Sequence, residues 1–383
     1  MTRRLHIAFV SDTFLPGPSA DNGGVRAARR LVEGLRARHD VTVVAAGDSR
    51  EGILGLPAFY PPFLRGLMRA NGFVFAFPRR EALAPLFRRV DVVHVQFPFW
   101  LGLRAASLAR ELGTPLVSAF HVQPENLLRN VGLRSRRLTD WTYRLFLRRL
   151  YDRSDAVICP SPLARDLLRA HGLRAPSEVI SNGAPPEFQP ARAAWAERNR
   201  GRFLVLAVGR LAPEKRLDVT IEGVRRSRHA SRIQLVVTGR GPLEAEVRRR
   251  AATLPLPAEI GFVSDAELRS LLASADLLLH SSEFELEGLA VLEGLASGTP
   301  ALVARSEASA AQQFAVSEDF LFAPGDPDDL ARRLDALLEA PGRLRAAREE
   351  ALALAARHRL EDSVRALEAL YLRVAEPRAR VER

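Results

Sequence analysis

Short apolar runs alternate with helical patterns along almost the whole chain, and each run ends in glycine, proline or polar residues. In the first half the runs predict strands at 5–11, 41–46, 92–96, 115–121, 156–160 and 177–181, and a helix at 25–38. In the second half they predict strands at 203–209, 234–239, 259–263, 277–281 and 301–304, followed by helices at 327–338, 341–357 and 360–374. Strands that alternate with helices indicate an α/β fold with doubly wound parallel sheets.

The alternation breaks at 183–201, where a proline-rich stretch is followed by charged residues. A chain of 383 residues exceeds the size of one ordinary core. We therefore predict two Rossmann-like domains, 1–188 and 189–365, that face a central cleft. A C-terminal helix and tail at 366–383 is expected to pack back on the N-terminal domain.

Composition places the chain among globular proteins, with 47% apolar and 26% charged residues. The single cysteine, Cys159, excludes an intramolecular disulfide and a multi-cysteine metal site, and it fits a reducing compartment. No apolar run approaches the roughly 18 residues of a membrane span, and the first residues are strand-like rather than a signal peptide. We expect a cytoplasmic protein.

The net charge of +11 is carried almost entirely by arginine, because Lys215 is the only lysine among 56 basic residues. An arginine-rich solvated surface explains this charge most simply. A nucleic-acid-binding protein is the alternative from another class, but the chain shows no interleaved aromatic platforms and no known reading motif, so no specific nucleic-acid partner is expected. The lone lysine is a marked position, since lysine and arginine differ in shape and hydration.

Arg210 and Lys215 follow an apolar strand in the segment Gly209-Arg-Leu-Ala-Pro-Glu-Lys215. Arginine presents a planar fork to phosphate oxygens, and lysine presents a compact point charge. We interpret the two residues as a phosphate clamp; surface charges beside a turn are the alternative.

Glu285 and Glu293 flank the start of a predicted apolar helix, in the segment Glu285-Leu-Glu-Gly-Leu-Ala-Val-Leu-Glu293. Amides near Gly288 and Leu289 would form the helix N-terminus, where anions bind. A carboxylate among apolar helix residues needs a partner, and carboxylates accept hydrogen bonds from sugar hydroxyls. Glu287 is interpreted as an exposed loop acid.

Two further candidates lie in the first half. Gly23 and Gly24 precede a predicted helix and allow close approach of the backbone to a diphosphate, although such pairs are often plain turns. His121 ends a predicted strand at the edge where ligands gather, although a lone histidine at a strand end is by default structural. The chain has no nucleophile elbow, P-loop or His-Glu-x-x-His motif.

Taken in order and spacing, these motifs resemble the retaining glycosyltransferase family 4 enzymes of the GT-B fold. The segments that carry the resemblance are Asp21-Asn-Gly-Gly24, Asp91-Val-Val-His-Val95, Phe120-His121, Ile180-Ser-Asn-Gly183, Val208-Gly-Arg-Leu211 with Lys215, Val237-Thr-Gly-Arg-Gly-Pro242, and Glu285 to Glu293 followed by Ala296-Ser-Gly-Thr-Pro300. Glu287 departs from the family, which often has an aromatic residue before this glycine.

The resemblance implies a role for each matched residue. Gly23 and Gly24 would approach the donor diphosphate, Arg210 and Lys215 would clamp it, and His121 would touch the donor sugar near its anomeric centre. Glu285 would hold sugar hydroxyls and Glu293 the ribose. The set of donor-binding positions is completed by Gly239, Phe262, Val263, Gly288 and Leu289, with Phe262 and Val263 beside the base.

The implied reaction transfers a hexose from a nucleoside diphosphate sugar with retention at the anomeric carbon. It proceeds by front-side attack, in which a donor phosphate oxygen accepts the acceptor's proton. No metal or other cofactor is expected, because the two cations of the clamp supply the positive charge. The residues do not select the base; a UDP-sugar is our working expectation. The first domain would bind the acceptor and the second the nucleotide sugar.

Residues 129–153 contain eight arginines against Asp140 and Asp152. Leu138, Trp141, Leu145 and Leu150 fall near helical spacing beside Arg137, Arg144 and Arg148, a pattern typical of a helix on an anionic membrane surface. A core-packing helix with a solvated arginine side is the alternative. We expect a lipid or cell-envelope glycan acceptor and a location at the inner face of the membrane; a soluble natural product or glycan remains the alternative acceptor.

Overall fold

The computed structural model describes residues 3–14, 23–62, 65–70, 73–191, 195 and 201–376. Asp21 and Asn22 lie outside this part of the chain. The molecule divides into two compact units. The first is built from Met1–Pro124, Arg134–Asn182 and the chain from Leu360 onward, and the second from Glu125–Leu133 and Gly183–Arg359. The sequence boundaries did not anticipate that Glu125–Leu133 belongs to the second unit.

The first unit contains a parallel sheet covered by helices. Its strands are β1 (His6–Val10), β2 (Asp40–Ala46), β3 (Ile53–Leu56), β6 (Val92–Val95), β7 (Leu116–Ala119), β8 (Ala156–Cys159) and β9 (Ser177–Val179), and β4 (Ala58–Phe59) pairs with β5 (Phe75–Ala76) separately. Its helices are α1 (Gly23–Arg36), α2 (Arg65–Ala70), α3 (Arg80–Phe87), α4 (Trp100–Leu112), α6 (Arg136–Arg149), α7 (Pro162–Ala170) and α14 (Leu360–Ala375). The strand order is β3-β2-β1-β6-β7-β8-β9.

The second unit repeats this architecture. Its strands are β10 (Phe203–Val208), β11 (Ile233–Thr238), β12 (Glu259–Gly261), β13 (Leu277–His280), β14 (Ala301–Ala304) and β15 (Leu321–Phe322), in the order β12-β11-β10-β13-β14-β15. Its helices are α8 (Leu217–Arg226), α9 (Glu244–Ala251), α10 (Asp265–Ser274), α11 (Leu289–Ala296), α12 (Pro327–Leu338) and α13 (Pro341–Ala355). Helix α5 (Pro124–Asn130) also lies here, apart from its first residue.

The predicted α/β class is confirmed, and each predicted strand is present with its ends shifted by at most two residues. The apolar pattern does not predict β3, β15 or the pair β4 and β5. Their residues are largely apolar, but β3 has four residues and the others two each, so their runs are too short to identify as strands.

Both faces of the second sheet are buried, as a doubly wound fold requires. Leu204 and Leu206 of β10 pack in one apolar cluster, whereas Val205 and Ala207 pack in another. Successive side chains of a strand point to opposite faces, so a strand covered on both sides reads as a continuous apolar run.

Each sheet reverses its strand order next to its first strand. In the first unit β1 lies between β2 and β6, and in the second β10 lies between β11 and β13. Loops that leave the carboxyl ends of such neighbouring strands diverge and form the crevice in which ligands of doubly wound sheets bind. The loops after β10 and β13 carry Arg210, Lys215 and Glu285, so the topology brings these residues to one edge.

The C-terminal helix α14 packs inside the first unit. The Tyr371 hydroxyl donates to His94 Nδ1 at 2.8 Å, and His94 Nε2 lies 3.0 Å from Gln96 Oε1. Burial lowers the pKa of His94 to about 4, so the imidazole is neutral at pH 7. Tyr371 therefore attaches α14 to the central strand β6 through a buried, uncharged hydrogen bond.

We expect Tyr371→Phe to lower the free energy of unfolding by about 1–3 kcal/mol, because it leaves a buried histidine nitrogen without its donor. Tyr151→Phe is the matched control: this tyrosine is equally buried, and its hydroxyl finds no hydrogen-bond partner among the described residues. The control should keep the free energy of unfolding of the wild type. Urea unfolding of both variants tests this, and equal losses would contradict the role of the Tyr371 hydroxyl.

Candidate functional site

Two glycines fix the start of the loop after β10. A Cβ atom on Gly239 would lie 1.8 Å from the carbonyl oxygen of Gly209, so only glycine fits at position 239. The Gly209 amide donates to the Thr238 carbonyl at 3.0 Å, and the Leu211 amide donates to the Arg240 carbonyl at 2.9 Å. These backbone hydrogen bonds hold the loops after β10 and β11 against each other.

A second set of hydrogen bonds joins the loop after β10 to the loop after β13. The Glu283 amide donates to the Glu214 carbonyl at 2.9 Å, and the Ser282 hydroxyl donates to the same carbonyl at 3.2 Å. Lys215 Nζ forms an ion pair with Glu285, and His280 Nε2 lies 3.3 Å from Glu285 Oε1. Lys215 and Glu285 are thus in direct contact although 70 positions separate them.

Glu285 stays ionised in this setting. Burial by itself raises the pKa of the Glu285 carboxyl group, but the Lys215 ammonium and the His280 imidazole hold that pKa well below its usual range. The carboxylate is therefore a permanent hydrogen-bond acceptor at the carboxyl edge of the sheet, matching the chemistry that sugar hydroxyls require.

Arg210 lies at the same edge and is held by two neighbours. Its guanidinium forms an ion pair with Glu214, and its Nη2 donates to Asn130 Oδ1 at 2.9 Å. A small pocket beside it is lined by Gly209, Arg210, Lys215 and His280. The structure therefore brings together both predicted clamp residues and Glu285.

Glu293 lies on α11, as the sequence predicts, and is buried. Gly288 is the N-cap of this helix, with φ of 100°, and Leu289 is its first residue. Glycine adopts this left-handed conformation without the penalty that a side chain would bring. The turn starts the helix abruptly, and its N-terminal amides come directly after the Glu285 loop.

The interpretation of Glu287 as an exposed loop acid is wrong. Its side chain is only 4% exposed, and its carbonyl accepts a hydrogen bond from Gln313 Nε2 at 3.3 Å. The chain before α11 folds inward because the Glu285 backbone pairs with residues 308–310. Glu287 is consequently buried at the position where the family often has an aromatic residue.

Phe262 and Val263 follow β12 directly, and Phe262 is 45% exposed. The Arg240 guanidinium lies over the Phe262 ring, 4.3 Å from its centroid. The pair forms a flat, solvent-facing surface at the carboxyl edge of the second sheet. The structure thus places both predicted base neighbours in a loop, next to the Gly239 turn.

In the first unit, His121 lies two residues beyond β7, which is shorter than the sequence predicts. Burial and the neighbouring His94 lower the pKa of His121 to about 3, so its imidazole is neutral. Gly23 and Gly24 are the first two residues of α1, at the helix N-terminus that the sequence analysis expects.

Sequence reasoning missed His280 and Glu214. His280 ends β13 with its side chain 4% exposed, and Glu214 is buried beside Arg210. The position of His280 at the carboxyl end of a predicted strand could have identified it. Glu214 lies next to the marked Lys215, but its burial depends on the loop after β13 and could not be deduced from its neighbours in sequence.

Helix α6 presents its arginines to solvent. Arg137, Trp141, Arg144 and Arg148 are all exposed, Trp141 to 54%, whereas Tyr143, Phe146 and Leu147 are buried. Trp141 therefore lies on the arginine side of the helix, with the residues expected to face an anionic membrane surface, whereas Leu150 of the predicted apolar row is buried. We call the exposed residues Arg137, Trp141, Arg144 and Arg148 the α6 basic face.

In the described part of the chain, no helix has the length and hydropathy needed to cross a bilayer. The same part contains no group of three or more His, Cys, Asp or Glu side chains arranged to hold a metal ion.

Comparison with known proteins extends these observations. Residues 21–188 match the family Glycosyltransferase Family 4, and residues 191–354 match Glycosyl transferases group 1. The chain is 28% identical to a GDP-mannose-dependent alpha-mannosyltransferase of Corynebacterium glutamicum over 316 residues, which are 79% of this chain and 73% of that protein. It is 24% identical to an alpha-monoglucosyldiacylglycerol synthase of Streptococcus pneumoniae, over 78% of this chain and 70% of that protein.

Solved structures show the same fold. The structure of HepE from Anabaena in complex with UDP-glucose superposes with a TM-score of 0.75 at 17% identity, covering 97% of this chain and all of that one. With two Rossmann-like units, Arg210 and Lys215 in the loop where Lys215 contacts Glu285, and both family matches in chain order, the protein belongs to the group 1 glycosyltransferases of family 4, which are nucleotide-sugar-dependent enzymes of the GT-B fold.

Proposed function

We propose that the protein transfers a hexose from a nucleoside diphosphate sugar, with retention at the anomeric carbon, to a membrane lipid or cell-envelope glycan. The observation that carries this proposal is the convergence of Arg210, Lys215 and Glu285 at the carboxyl edge of the second sheet. Two cations suit a diphosphate, and the adjacent ionised carboxylate suits the hydroxyls of the sugar attached to it.

In the proposed reaction the bond from the anomeric carbon to the diphosphate breaks, and a bond to the acceptor oxygen forms on the same face. The departing phosphate oxygen takes the acceptor's proton, so no protein base is needed. Arg210 and Lys215 stabilise the charge that develops on the diphosphate, a contribution of about 10²–10³ in rate for one such donor. We propose that these side chains, without a metal ion, supply the positive charge.

The remaining residues are assigned by the same proposal. Glu285 holds donor-sugar hydroxyls, Glu293 holds the ribose, and the Gly288–Leu289 helix start receives an anionic group. His121 contacts the sugar as a neutral imidazole, which its low pKa supports. Gly239, Phe262 and Val263 border the base, while Gly23 and Gly24 approach the diphosphate.

The donor base is open to direct test. A UDP-sugar is the working proposal, and the GDP-mannose-dependent mannosyltransferase among the relatives makes a GDP-sugar the second candidate. A calorimetric screen of UDP, GDP and their common hexose conjugates identifies the donor, because a bound ligand stabilises the folded state by mass action.

A lipid acceptor is supported by two observations. One relative is named as a synthase of a glucosyldiacylglycerol, and the α6 basic face carries an exposed tryptophan among three arginines. Tryptophan at the lipid interface and arginine near anionic headgroups are the features of peripheral membrane helices. We propose that the enzyme works at the inner face of the membrane.

The test of the function is transfer of labelled hexose from the identified donor to a panel of acceptors. The panel contains diacylglycerol and phosphatidylinositol in mixed micelles, together with soluble oligosaccharides. Labelled lipid supports the proposal, labelled oligosaccharide favours the soluble acceptor, and no product with any donor that binds would overturn the assignment.

Lys215→Arg should fold normally and bind the donor within a few-fold, yet transfer sugar about 10²-fold more slowly. The lysine stem lies against Gly209, where an added Cβ atom would be 3.4 Å from Lys215 Cε, and its head contacts Glu285. A wider guanidinium therefore displaces the diphosphate. Initial rates and donor affinity decide this, with Arg249→Lys at an exposed site as control. Full activity of Lys215→Arg would remove this residue from the clamp.

His121→Ala should leave nucleoside diphosphate affinity near that of the wild type and reduce transfer by about 10²–10³-fold. Because its pKa is about 3, His121 should also contribute no inflection to the rate between pH 5 and 8. Rate profiles over this range, measured beside calorimetry with the nucleotide, check both points. A matching loss of nucleotide affinity would place His121 at the diphosphate instead.

Reversing two charges on the α6 basic face, Arg144→Glu with Arg148→Glu, should weaken binding to vesicles of phosphatidylglycerol at least about tenfold, since each arginine near an anionic surface contributes about 1 kcal/mol. Arg249→Glu with Arg345→Glu is the charge-matched control on other exposed positions. Flotation in a density gradient measures the effect. Equal losses in both variants would show that net charge, rather than this face, determines binding.

A further inference from the structure

Helix α5 lies in the N-terminal half of the sequence, yet residues Glu125–Leu133 belong to the second unit. Arg129 is one reason. It forms an ion pair with Glu283, and its guanidinium lies over the Phe284 ring, 4.4 Å from the centroid. Glu283 and Phe284 immediately precede Glu285, so α5 is attached to the loop that carries the candidate sugar-binding carboxylate.

Asn130 makes the second attachment, and its amide has a fixed orientation. Its Nδ2 donates to the Asn126 carbonyl and to Asn126 Oδ1, both at 2.8 Å. Since these are acceptors, the amide nitrogen must face them and Oδ1 must face the other way. Oδ1 accepts a hydrogen bond from Arg210 Nη2 at 2.9 Å. The Asn130 amide, held by the backbone of α5, thus orients the Arg210 guanidinium together with Glu214, which accepts from the same Nη2.

Glu283 links this helix to the other end of the clamp loop. Its carboxylate pairs with Arg129 and also with Arg216, the residue after Lys215. Among the described residues, Arg216 is the one non-glycine residue with a positive φ, of 46°. Its guanidinium donates two hydrogen bonds to the Asp218 carboxylate, at 3.0 and 3.1 Å. These partners hold the loop from Arg210 to Arg216 at both ends.

We propose that Asn130 is a positioning residue for Arg210, and that Arg129 anchors the helix that carries it. This proposal rests on the proposed function, in which Arg210 binds the donor diphosphate. A neutral amide oxygen suits this role: Glu214 already pairs with the Arg210 guanidinium, and an amide adds a second restraint without adding a second negative charge. A carboxylate at position 130 would compete with the phosphate for the same cation.

The experiment measures the affinity of the full-length protein for UDP and GDP by calorimetry. Asn130→Ala should lower the affinity for the nucleotide that binds by about tenfold, because the guanidinium then keeps Glu214 but loses the amide that fixes its orientation. Asn130→Asp keeps the side-chain shape but adds a charge, and it should weaken binding at least as much. Arg129→Ala should also weaken binding, whereas Arg134→Ala, the same change of charge at an exposed arginine, should not.

A double-mutant cycle separates positioning from simple structural damage. If Asn130 acts through Arg210, then Asn130→Ala should cause no further loss of nucleotide affinity when Arg210→Ala is already present. The positioning role is overturned if Asn130→Ala lowers nucleotide affinity as much in the Arg210→Ala protein as in the wild type, or if Asn130→Ala alone keeps wild-type affinity. Either result leaves the clamp assignment of Arg210 intact. Wild-type affinity of Arg210→Ala would instead overturn the clamp assignment itself. Near-ultraviolet circular dichroism confirms that each variant is folded.

Discussion

Lys215 and Glu285 come from the loops after two neighbouring strands, and their ion pair joins these loops at the carboxyl edge of the second sheet. Their side chains are 19% and 17% exposed, so each charge is largely removed from water. A charge in that position is costly without a partner, and loss of Glu285 would leave the Lys215 ammonium without its carboxylate. The geometry of the site depends on this pair because it requires both loops to stay adjacent.

The strands that position this ion pair can be recognised from local patterns in the sequence. Buried parallel strands read as apolar runs, and β10, β11, β13 and β14 lie where the runs predict them. Parallel strands present all their carboxyl ends at one edge, and loops after adjacent strands meet there. The sequence therefore indicates that three residues, Arg210, Lys215 and Glu285, lie near one another, since each follows such a strand.

The contacts that complete the site depend on distances that local patterns do not encode. Glu287 reads as a loop acid, yet pairing of the Glu285 backbone with residues 308–310 folds it inward. Asn130 lies 80 positions before Arg210, and its contact with Arg210 depends on the membership of α5 in the second unit, which the sequence does not indicate.

Charge balance determines how this site would receive a donor. The ion pairs at the site form three groups: Arg129 and Arg216 with Glu283 and Asp218, Arg210 with Glu214, and Lys215 with Glu285. Positive and negative groups are equal in number, so a diphosphate does not enter a bare positive pocket. In the proposed function, the diphosphate would take hydrogen bonds that Glu214 and Glu285 now receive from Arg210 and Lys215. Glu285 would keep its neighbour His280 and would gain acceptor capacity for sugar hydroxyls as Lys215 turned to the phosphate. Diphosphate binding and sugar recognition would then be one exchange of partners, with the proposed positioning residue Asn130 holding Arg210 throughout.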